Sequence, residues 1–317
     1  MKTFVVQLLT LCLCLTTTYF LLILNPFNSV KRGHPLRPLN APDLSVLRLS
    51  IIRFGVFMKL MKFTIVIDGQ THEIVSNVRD SGENLIFLVH GLGCSKDSFH
   101  HIWNHKDFDD YSILALDLAG FGESSKSNKF SYTMEAQARI CAEILTKFPE
   151  KKLHIVAHSM GCAVALLLPD EILNGTKTFT NIEGNLIGAD CGIISRKIIR
   201  VSPEVFVNDI FPVLRDKFNS FGERYAAIDS TSADALYKSA ESLVAWSDSN
   251  KLLEIFLALP CRKAYFFGDE NADQTTLTRI GDVRKVKINQ SGHFPMNDNP
   301  KDFYGELYKF LKGADKT

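Results

Sequence analysis

The stretch VAHSMGC, at residues 156–162, decides how the rest of the chain is interpreted. Apolar residues lead into Ser159, and the small residues Gly161 and Ala163 follow it. This pattern is typical of a strained turn between a buried strand and a helix, which lifts a serine hydroxyl clear of the sheet. Small residues at the turn let backbone and helix approach closely. The first position holds Ala157 where the pattern usually has glycine, so the motif needs support from distant segments.

The composition indicates a globular chain with enough apolar residues for a large core. Its 317 residues are 46% hydrophobic and 22% charged, and the formal net charge is +1. A core domain with a smaller insertion fits this length. The near-neutral charge gives no reason to expect a nucleic-acid or an acidic partner. The seven cysteines show no CxxC pair and no metal-ligand spacing, so we expect buried thiols in a reducing compartment and predict no metal or cofactor.

Residues 1–57 differ in character from the rest of the chain. Residues 4–24 carry no charge, and as a helix they would span roughly 30 Å, the thickness of a bilayer core. Lysines and arginines are more frequent after this run than before it, which favours a membrane anchor with the following chain in the cytoplasm. The alternatives are the cleaved signal peptide of a secreted protein, or a start of translation at Met58 or Met61 that leaves a soluble cytoplasmic protein. Residues 25–57 are predicted to be a linker whose basic, apolar second half lies on a membrane surface or packs on the core.

Apolar runs and helical periodicity alternate from about residue 63 onward. Two short runs around Gly69 predict a hairpin, and the longer runs are typical of strands buried on both faces of a parallel sheet. Residues 132–148 and 299–312 have the spacing of helices that face a sheet. The pattern predicts an α/β fold with a doubly wound, mostly parallel sheet. Its longer strands are predicted at residues 84–91, 111–120, 152–159, 178–186, 262–269 and 283–289.

One interval breaks this alternation. Residues 187–259 contain no convincing strand and have helical character at 203–218, 233–246 and 251–259. A helical insertion between two strands is typical of a cap over the carboxyl ends of the strands, where open α/β sheets bind ligands. The predicted organisation is therefore an N-terminal segment with a linker, a core in two parts and a helical cap, at residues 1–57, 58–186 with 260–317, and 187–259.

Distant segments supply partners for Ser159, because a serine hydroxyl needs a base to act as a nucleophile. The first long strand ends in His-Gly, which places the backbone N–H groups of Leu92 and Met160 where they can form an oxyanion hole. His293 follows the last predicted strand. It is the predicted base, because the chain order serine, acid, histidine places the base there.

A carboxylate is needed to orient His293 and to stabilise its charged form. Asp269, Glu270 and Asp273 follow one predicted strand, and Glu183 follows another. From their positions alone, all four remain candidates for this role.

Taken together, these segments resemble the α/β-hydrolase superfamily. The resemblance covers about residues 63–312 and rests on SGENLIFLVHGLG, LALDLAGFGESS, VAHSMG, FFGDENAD and SGHFPMNDNP, which occur in the family's order. It implies a Ser-His-acid triad with no metal or cofactor. It also implies a structural rather than a catalytic role for Asp117.

The position of the acid follows from a closer resemblance. The stretch IEGNLIGADCGIISRKI is similar to the haloalkane-dehalogenase-like branch, in which some members place the acid just after the sixth strand. This resemblance favours Glu183, with Asp269 as the alternative acid. At the family's other acid position this chain has Asn271, which points the same way.

The nucleophile separates the reactions of this branch. Dehalogenases and epoxide hydrolases of this fold use an aspartate at the turn, whereas this chain has Ser159. The resemblance implies a serine esterase or lipase that cleaves a small apolar carboxylic ester through an acyl-enzyme intermediate, and the aromatic-rich cap fits an apolar substrate. An amide, lactone or C–C bond hydrolase would use the same triad. The alternative from another class is a catalytically silent binding or signalling protein of the same fold.

Overall fold

Eight β-strands carry the fold. The structure, a computed structural model, describes residues 58–192, 194–220 and 227–314. Within these residues the strands are β1 (Lys59–Ile67), β2 (Gln70–Arg79), β3 (Asn84–Val89), β4 (Ser112–Leu116), β5 (Lys152–His158), β6 (Thr178–Ile182), β7 (Arg262–Gly268) and β8 (Arg284–Ile288).

The strands form one mixed sheet in the order β1-β2-β4-β3-β5-β6-β7-β8. β1 and β2 form an antiparallel hairpin whose turn residues, Asp68 and Gly69, have φ values of 50° and 74°, as tight hairpin turns require. β2 is also antiparallel to β4, and the remaining pairs are parallel. The predicted doubly wound, mostly parallel α/β sheet is confirmed.

Burial accounts for the apolar runs in the sequence. Every residue of β4 and of β6 is buried, and in β3 only Asn84, at its start, is partly exposed. A strand that is covered on both faces cannot alternate apolar with polar residues, so its sequence is continuously apolar. The carboxyl ends of β3, β5 and β6 lie side by side, and the segments that follow them supply the candidate site together with the segment after β8.

Helices connect and cover the strands. The α-helices of the described residues are α1 (Met134–Leu145), α2 (Met160–Leu166), α3 (Asp170–Gly175), α4 (Ser195–Ile198), α5 (Pro203–Val205), α6 (Phe211–Asn219), α7 (Ala233–Asp248), α8 (Lys251–Ala258), α9 (Thr275–Arg279), α10 (Pro295–Asp298) and α11 (Pro300–Lys312). Short 3₁₀ helices lie at Lys96–Asn104, Lys106–Phe108, Gly188–Gly192, Ile228–Ser230 and Asp269–Asn271.

Local chemistry sets the start of α1. Tyr132, where the sequence pattern predicts the helix to begin, has a φ of 57° and so cannot belong to a right-handed helix. The side chain of the next residue, Thr133, accepts a hydrogen bond from the N–H of Ala136 at 3.3 Å. This is an N-cap, so the helix begins at Met134.

The chain between β6 and β7 holds helices and, within the described residues, no strand, as predicted for the insertion. The predicted helix at 203–218 is interrupted by a π-helical turn at Phe206–Ile210. Pro212 lies in the first turn of α6 and has no N–H for a regular helical bond to the preceding turn. The N–H of Phe211 donates instead to the carbonyl of Phe206, five residues back.

The longest helix of this insertion, α7, is fastened to the core. The hydroxyl of Ser239 donates to the carbonyl of Tyr132 at 3.0 Å, and the hydroxyl of Ser242 accepts from the N–H of Met134 at 3.0 Å. Both bonds join α7 to the start of α1, so this helix of the insertion is hydrogen-bonded directly to the core. The boundaries given above for core and cap stay a prediction.

The predicted membrane anchor requires correction. Among the helices of residues 58–192, 194–220 and 227–314, none is long and apolar enough to cross a membrane. This finding is against the predicted transmembrane helix, the membrane association through residues 4–24 and the membrane-anchored localisation. Residues 1–57, which carry those predictions and the predicted linker, lie outside the described residues.

Candidate active site

Ser159 lies between β5 and α2 in a strained backbone conformation. Its φ of 51° and ψ of −123° are values that residues other than glycine adopt at a cost of about 1–3 kcal/mol. The N–H of Ser159 donates to the carbonyl of Ile182 in β6 at 3.0 Å, and the carbonyl of Ser159 accepts from the N–H of Cys162 at 3.0 Å. The surrounding sheet therefore maintains a sharp strand-to-helix turn that presents the serine side chain.

Two glycines allow this turn because the backbone is crowded around it. A Cβ at Gly161 would lie 2.6 Å from the carbonyl oxygen of His90 and closer still to that of Val89. A Cβ at Gly91 would lie 2.9 Å from Nδ1 of His158 and 3.1 Å from Cβ of Ser159. The end of β3 thus packs directly against the turn, with no room for a side chain at either position.

His293 and Glu183 are in direct contact. Nδ1 of His293 lies 2.9 Å from Oε2 of Glu183, and the two side chains are 19% and 4% exposed. A carboxylate only accepts hydrogen bonds, so Nδ1 carries a proton in this pair. In the neutral ring Nε2 is then left as an acceptor. The predicted base and the favoured acid therefore meet with the tautomer that a serine partner requires.

Glu183 is held by groups that surround its carboxylate. Its backbone has a φ of 42°, which turns the chain sharply after β6. Oε1 accepts from the N–H of Gly268 at 2.8 Å. The side-chain amide of Asn271 donates to both oxygens, at 3.0 and 2.8 Å. Asn271 occupies the position where the family's other acid is expected, and here it serves as a donor to Glu183.

The other candidate acids are placed differently. Asp269 accepts from the N–H of Ser291 at 3.0 Å, and the backbone N–H groups of Ser291 and Gln290 lower the pKa of Asp269. Asp269 therefore supports the loop before His293 rather than its ring. Glu270 and Asp273 are exposed. Of the four candidates, Glu183 is the one whose carboxylate contacts His293.

His90 holds the loop that carries Leu92. It is fully buried, and its Nε2 accepts from the N–H of Leu118 at 3.0 Å. Nδ1 then carries the proton and donates to the carbonyl of Gly91 at 2.8 Å. Leu92 lines the cavity beside Ser159, whereas the side chain of Met160 is fully buried. Any role of Met160 at the site would therefore involve its backbone N–H at the start of α2.

His158, the residue before Ser159, reaches the loop of His293. Its Nε2 lies 2.8 Å from the carbonyl oxygen of His293, and the two imidazole rings are 4.8 Å apart between centroids. Burial, together with the nearby His293, lowers the pKa of His158 well below its usual value of 6.5. The ring is therefore neutral, and Nε2 donates its proton to the carbonyl.

A small cavity joins these residues. The centres of water-sized molecules can occupy about 20 Å³ of it, which is room for one or two waters. Burial raises the pKa of the Cys94 thiol to about 12, so this cysteine is a protonated thiol and not a reactive thiolate. The cavity is lined by Gly91, Leu92, Cys94, His158, Ser159, Asn185, Asp190, Ile194, Ser195, His293 and Phe294.

Asp190 is a half-buried acid that the sequence analysis did not identify. Oδ2 accepts from the N–H groups of Leu186 and Ile187 at 2.8 and 3.0 Å, and Oδ1 from the hydroxyl of Thr276. Burial, with the negative charge of Glu183, raises the pKa of Asp190 above its usual value of 3.8 despite these bonds. Its carboxylate is fully engaged in shaping the turn after β6.

Sequence reasoning also missed Asn185 and Ser195 as cavity residues and His158 as a contact of the His293 loop. Asn185 follows β6 at the carboxyl edge of the sheet, and that position alone is a signal for a ligand contact. Within the described residues, no cluster of three or more His, Cys, Asp or Glu side chains is arranged to hold a metal ion.

The chain belongs to the α/β-hydrolase fold family. The family model that carries this description matches residues 84–250, which include β3, the Ser159 turn and most of the helical insertion. This family is the one that the sequence motifs and the sheet topology indicate.

Known proteins share parts of the chain. A protein of Arabidopsis thaliana named "Probable lysophospholipase BODYGUARD 4" is 35% identical over 121 residues, which cover 36% of this chain and 29% of that protein. Lipase 1 of Psychrobacter immobilis is 35% identical over 99 residues, which cover 31% of this chain and 30% of the lipase. The matched parts are thus less than a third of the length of each relative.

Solved structures share the whole fold at low identity. A structure reported with carboxylesterases of the thaumarchaeon Nitrososphaera gargenis superposes with a TM-score of 0.67 and 14% identity, over 80% of this chain and 99% of that one. At this identity the likeness establishes the fold.

Proposed function

We propose that this protein is a serine hydrolase that cleaves a carboxylic ester through an acyl-enzyme intermediate. The observation that carries the proposal is the 2.9 Å contact between Nδ1 of His293 and Oε2 of Glu183, beside the strained turn of Ser159. A histidine held in this tautomer keeps Nε2 free to accept the serine proton. A packing histidine would need no buried carboxylate of this kind.

The reaction proceeds in two steps in this proposal. Nε2 of His293 removes the proton of the Ser159 hydroxyl while Oγ attacks the ester carbonyl carbon. The imidazolium then protonates the alcohol oxygen, the ester C–O bond breaks, and the alcohol leaves. Water, deprotonated by His293, attacks the acyl-enzyme, and the carboxylic acid leaves as the proton returns to Oγ. Glu183 stabilises the imidazolium in both steps.

The backbone N–H groups of Leu92 and Met160 stabilise the oxyanion of each tetrahedral intermediate. No hydrogen bond within the described residues uses either N–H, so both are available to an oxygen at the start of α2. The positive end of that helix adds to the stabilisation. Removing one donor of an oxyanion hole typically costs about 10²–10³ in kcat.

The substrate in this proposal has an apolar acyl group. Leu92, Ile194 and Phe294 give the cavity its apolar lining. Curated relatives include lipases and a protein named as a lysophospholipase, and both names describe action on esters of fatty acids. The cavity beside Ser159 is small, so only the part of the acyl group next to the scissile bond lies against this lining, and the rest of its chain lies outside the cavity.

The test is labelling with a fluorophosphonate probe, which reacts with activated serines. We expect labelling of the wild type and loss of labelling in Ser159→Ala. Ser220→Ala is the matched control, because Ser220 is an exposed serine of the same helical insertion that does not line the cavity. It should label like the wild type.

Other outcomes separate the alternatives. An unlabelled wild type would indicate a silent binding protein of this fold. Labelling without turnover of p-nitrophenyl esters, but with turnover of an amide, a lactone or a C–C bond substrate, would assign the same residues to a different bond.

A further inference from the structure

We propose that Asn185 and Ser195 form a polar subsite that binds a neutral hydroxyl group of the ester substrate beside the scissile bond. This inference rests on the proposed function, because it names the substrate of that site. Both residues line the cavity that also contains Ser159 and His293, and neither is part of the predicted triad or oxyanion hole.

Asn185 offers an unused acceptor. The residue is 3% exposed, and its amide nitrogen donates only a long bond, of 3.5 Å, to the sulfur of Cys191. Within the described residues its amide oxygen has no hydrogen-bond partner. An acceptor that a bound ligand would shield from water without replacing its hydrogen bond costs about 1–3 kcal/mol. A polar atom of a ligand or water in the cavity therefore completes its hydrogen bonds.

Ser195 supplies a second, complementary group. It is the first residue of α4 and is 5% exposed, and its hydroxyl has no partner within the described part of the chain. A hydroxyl both donates and accepts. Asn185 and Ser195 can therefore accept from, and donate to, one ligand hydroxyl, whereas a methyl group at this place would leave both residues unsatisfied.

The charges around the cavity select a neutral group. Asp190 lines the cavity, and Glu183 lies behind His293. No lysine or arginine is among the cavity residues of the described chain. A phosphate or carboxylate here would lie near two acids with no compensating cation, which is unfavourable at low dielectric. The cavity, whose accessible volume is about 20 Å³, also admits only a small group.

The experiment compares esters that differ by one hydroxyl. On the alcohol side the pair is 2-hydroxyethyl butyrate and propyl butyrate. On the acyl side the pair is the p-nitrophenyl ester of 3-hydroxybutyrate and the p-nitrophenyl ester of butyrate. For each pair we measure kcat/KM with the wild type, Asn185→Leu and Ser195→Ala, which removes only one oxygen and so preserves the fold.

We expect the wild type to prefer the hydroxyl member of one pair by about tenfold, as one hydrogen bond provides. That pair also identifies the side of the ester that occupies the subsite. Asn185→Leu and Ser195→Ala should each reduce this preference several-fold. Equal kcat/KM within both pairs, or a preference that survives both substitutions, overturns the proposal.

A failure of the subsite is distinct from a failure of the proposed function. If Ser159 is labelled by the fluorophosphonate and the esters are hydrolysed without a hydroxyl preference, the subsite is wrong and the hydrolase proposal stands. If Ser159 is not labelled in the wild type, the hydrolase proposal fails, and the subsite proposal fails with it.

Discussion

Nε2 of His158 donates to the backbone carbonyl of His293 across a distance of 2.8 Å, so the residue beside the proposed nucleophile positions the loop that carries the proposed base. His158 is fully buried and neutral, because burial lowers its pKa well below 6.5. A charged ring at this place would repel an imidazolium at His293. The first predictions concern this loop and the acid behind it.

The acid of the triad can be tested with two isosteric substitutions. Glu183→Gln should lower kcat about 10³–10⁴-fold, because an amide can no longer hold the proton on Nδ1 of His293 or stabilise the imidazolium. Asp269→Asn is the matched control and should lose less than tenfold, because Asp269 binds the N–H of Ser291 and not the ring. The measurement is p-nitrophenyl ester turnover. A larger loss in Asp269→Asn than in Glu183→Gln would make Asp269 the acid.

The positioning role of His158 predicts a graded effect on kcat. His158→Phe fills the space but cannot donate to the carbonyl of His293, so kcat should fall about 10–100-fold, the range expected when a catalytic group is displaced. His158→Gln retains an N–H donor and should recover part of this loss, with KM changing little in either variant. Equal activity of the Phe variant and the wild type would remove His158 from the mechanism.

His158 and two other buried histidines predict a pH dependence of stability. Burial lowers the pKa values of His72, His90 and His158 below 6.5, so below pH 6.5 the unfolded chain binds protons that the folded protein does not. The contribution of these three histidines to stability is therefore constant above this pH and falls as the pH drops through it, by up to about 1.4 kcal/mol per pH unit for each histidine.

This dependence is measured by urea unfolding at pH 7.5, 6.5 and 5.5. In His158→Phe the free energy of unfolding should fall less between pH 6.5 and 5.5 than in the wild type, and the difference should equal the contribution of one histidine. A decline as steep as that of the wild type would mean that His158 is charged in the folded protein.

The packing of the turn predicts a severe effect of one methyl group. Gly161→Ala places a Cβ against the carbonyl oxygens of Val89 and His90, at 2.6 Å from the latter. The fixed backbone cannot yield, so the free energy of unfolding should fall by about 1–3 kcal/mol and activity should be lost.

Gly175→Ala is the matched control for this substitution, because it adds the same methyl group at the end of α3, where a Cβ meets nothing within 4 Å. Its unfolding midpoint in urea should equal or slightly exceed that of the wild type. If both variants unfold at the wild-type midpoint, the close approach at Gly161 is not a constraint.

A buried ion network predicts a large loss of stability when one cation is removed. Lys96 is 4% exposed and lies 3.2 Å from the fully buried Asp117 and 2.7 Å from Glu123. Lys96→Met leaves the carboxylate of Asp117 without its cation and should cost about 3–5 kcal/mol. Lys62→Met, which removes a cation from an exposed pair with Glu73, should leave the unfolding midpoint unchanged. A mild effect at Lys96 would contradict a structural role for Asp117.

Much of the fold was predictable because the burial of a segment determines which residue types occur in it. Strands covered on both faces are continuously apolar, as in β4 and β6, and the turn at Ser159 requires small neighbours. The π-helical interruption at Phe206–Ile210 was not predicted. Helical residues lie on both sides of Pro212, and the periodicity of apolar residues does not show where one backbone N–H is missing. The membrane anchor was predicted from the hydropathy of residues 4–24 and the charges that flank them, and the described residues contain no helix that could cross a membrane.

The sequence by itself determined the positions of the main strands along the chain, the helical insertion and the identity of Ser159 and His293 as candidates, because these depend on local patterns and on their succession. Only the tertiary structure decided which of four carboxylates contacts the ring of His293. That contact depends on the assembled sheet, because Gly268 at the end of β7 and Asn271 in the segment after it bind the carboxylate oxygens of Glu183. Contacts between residues more than eighty positions apart leave no periodicity in a sequence, so they exist only once the sheet has brought the strand ends together.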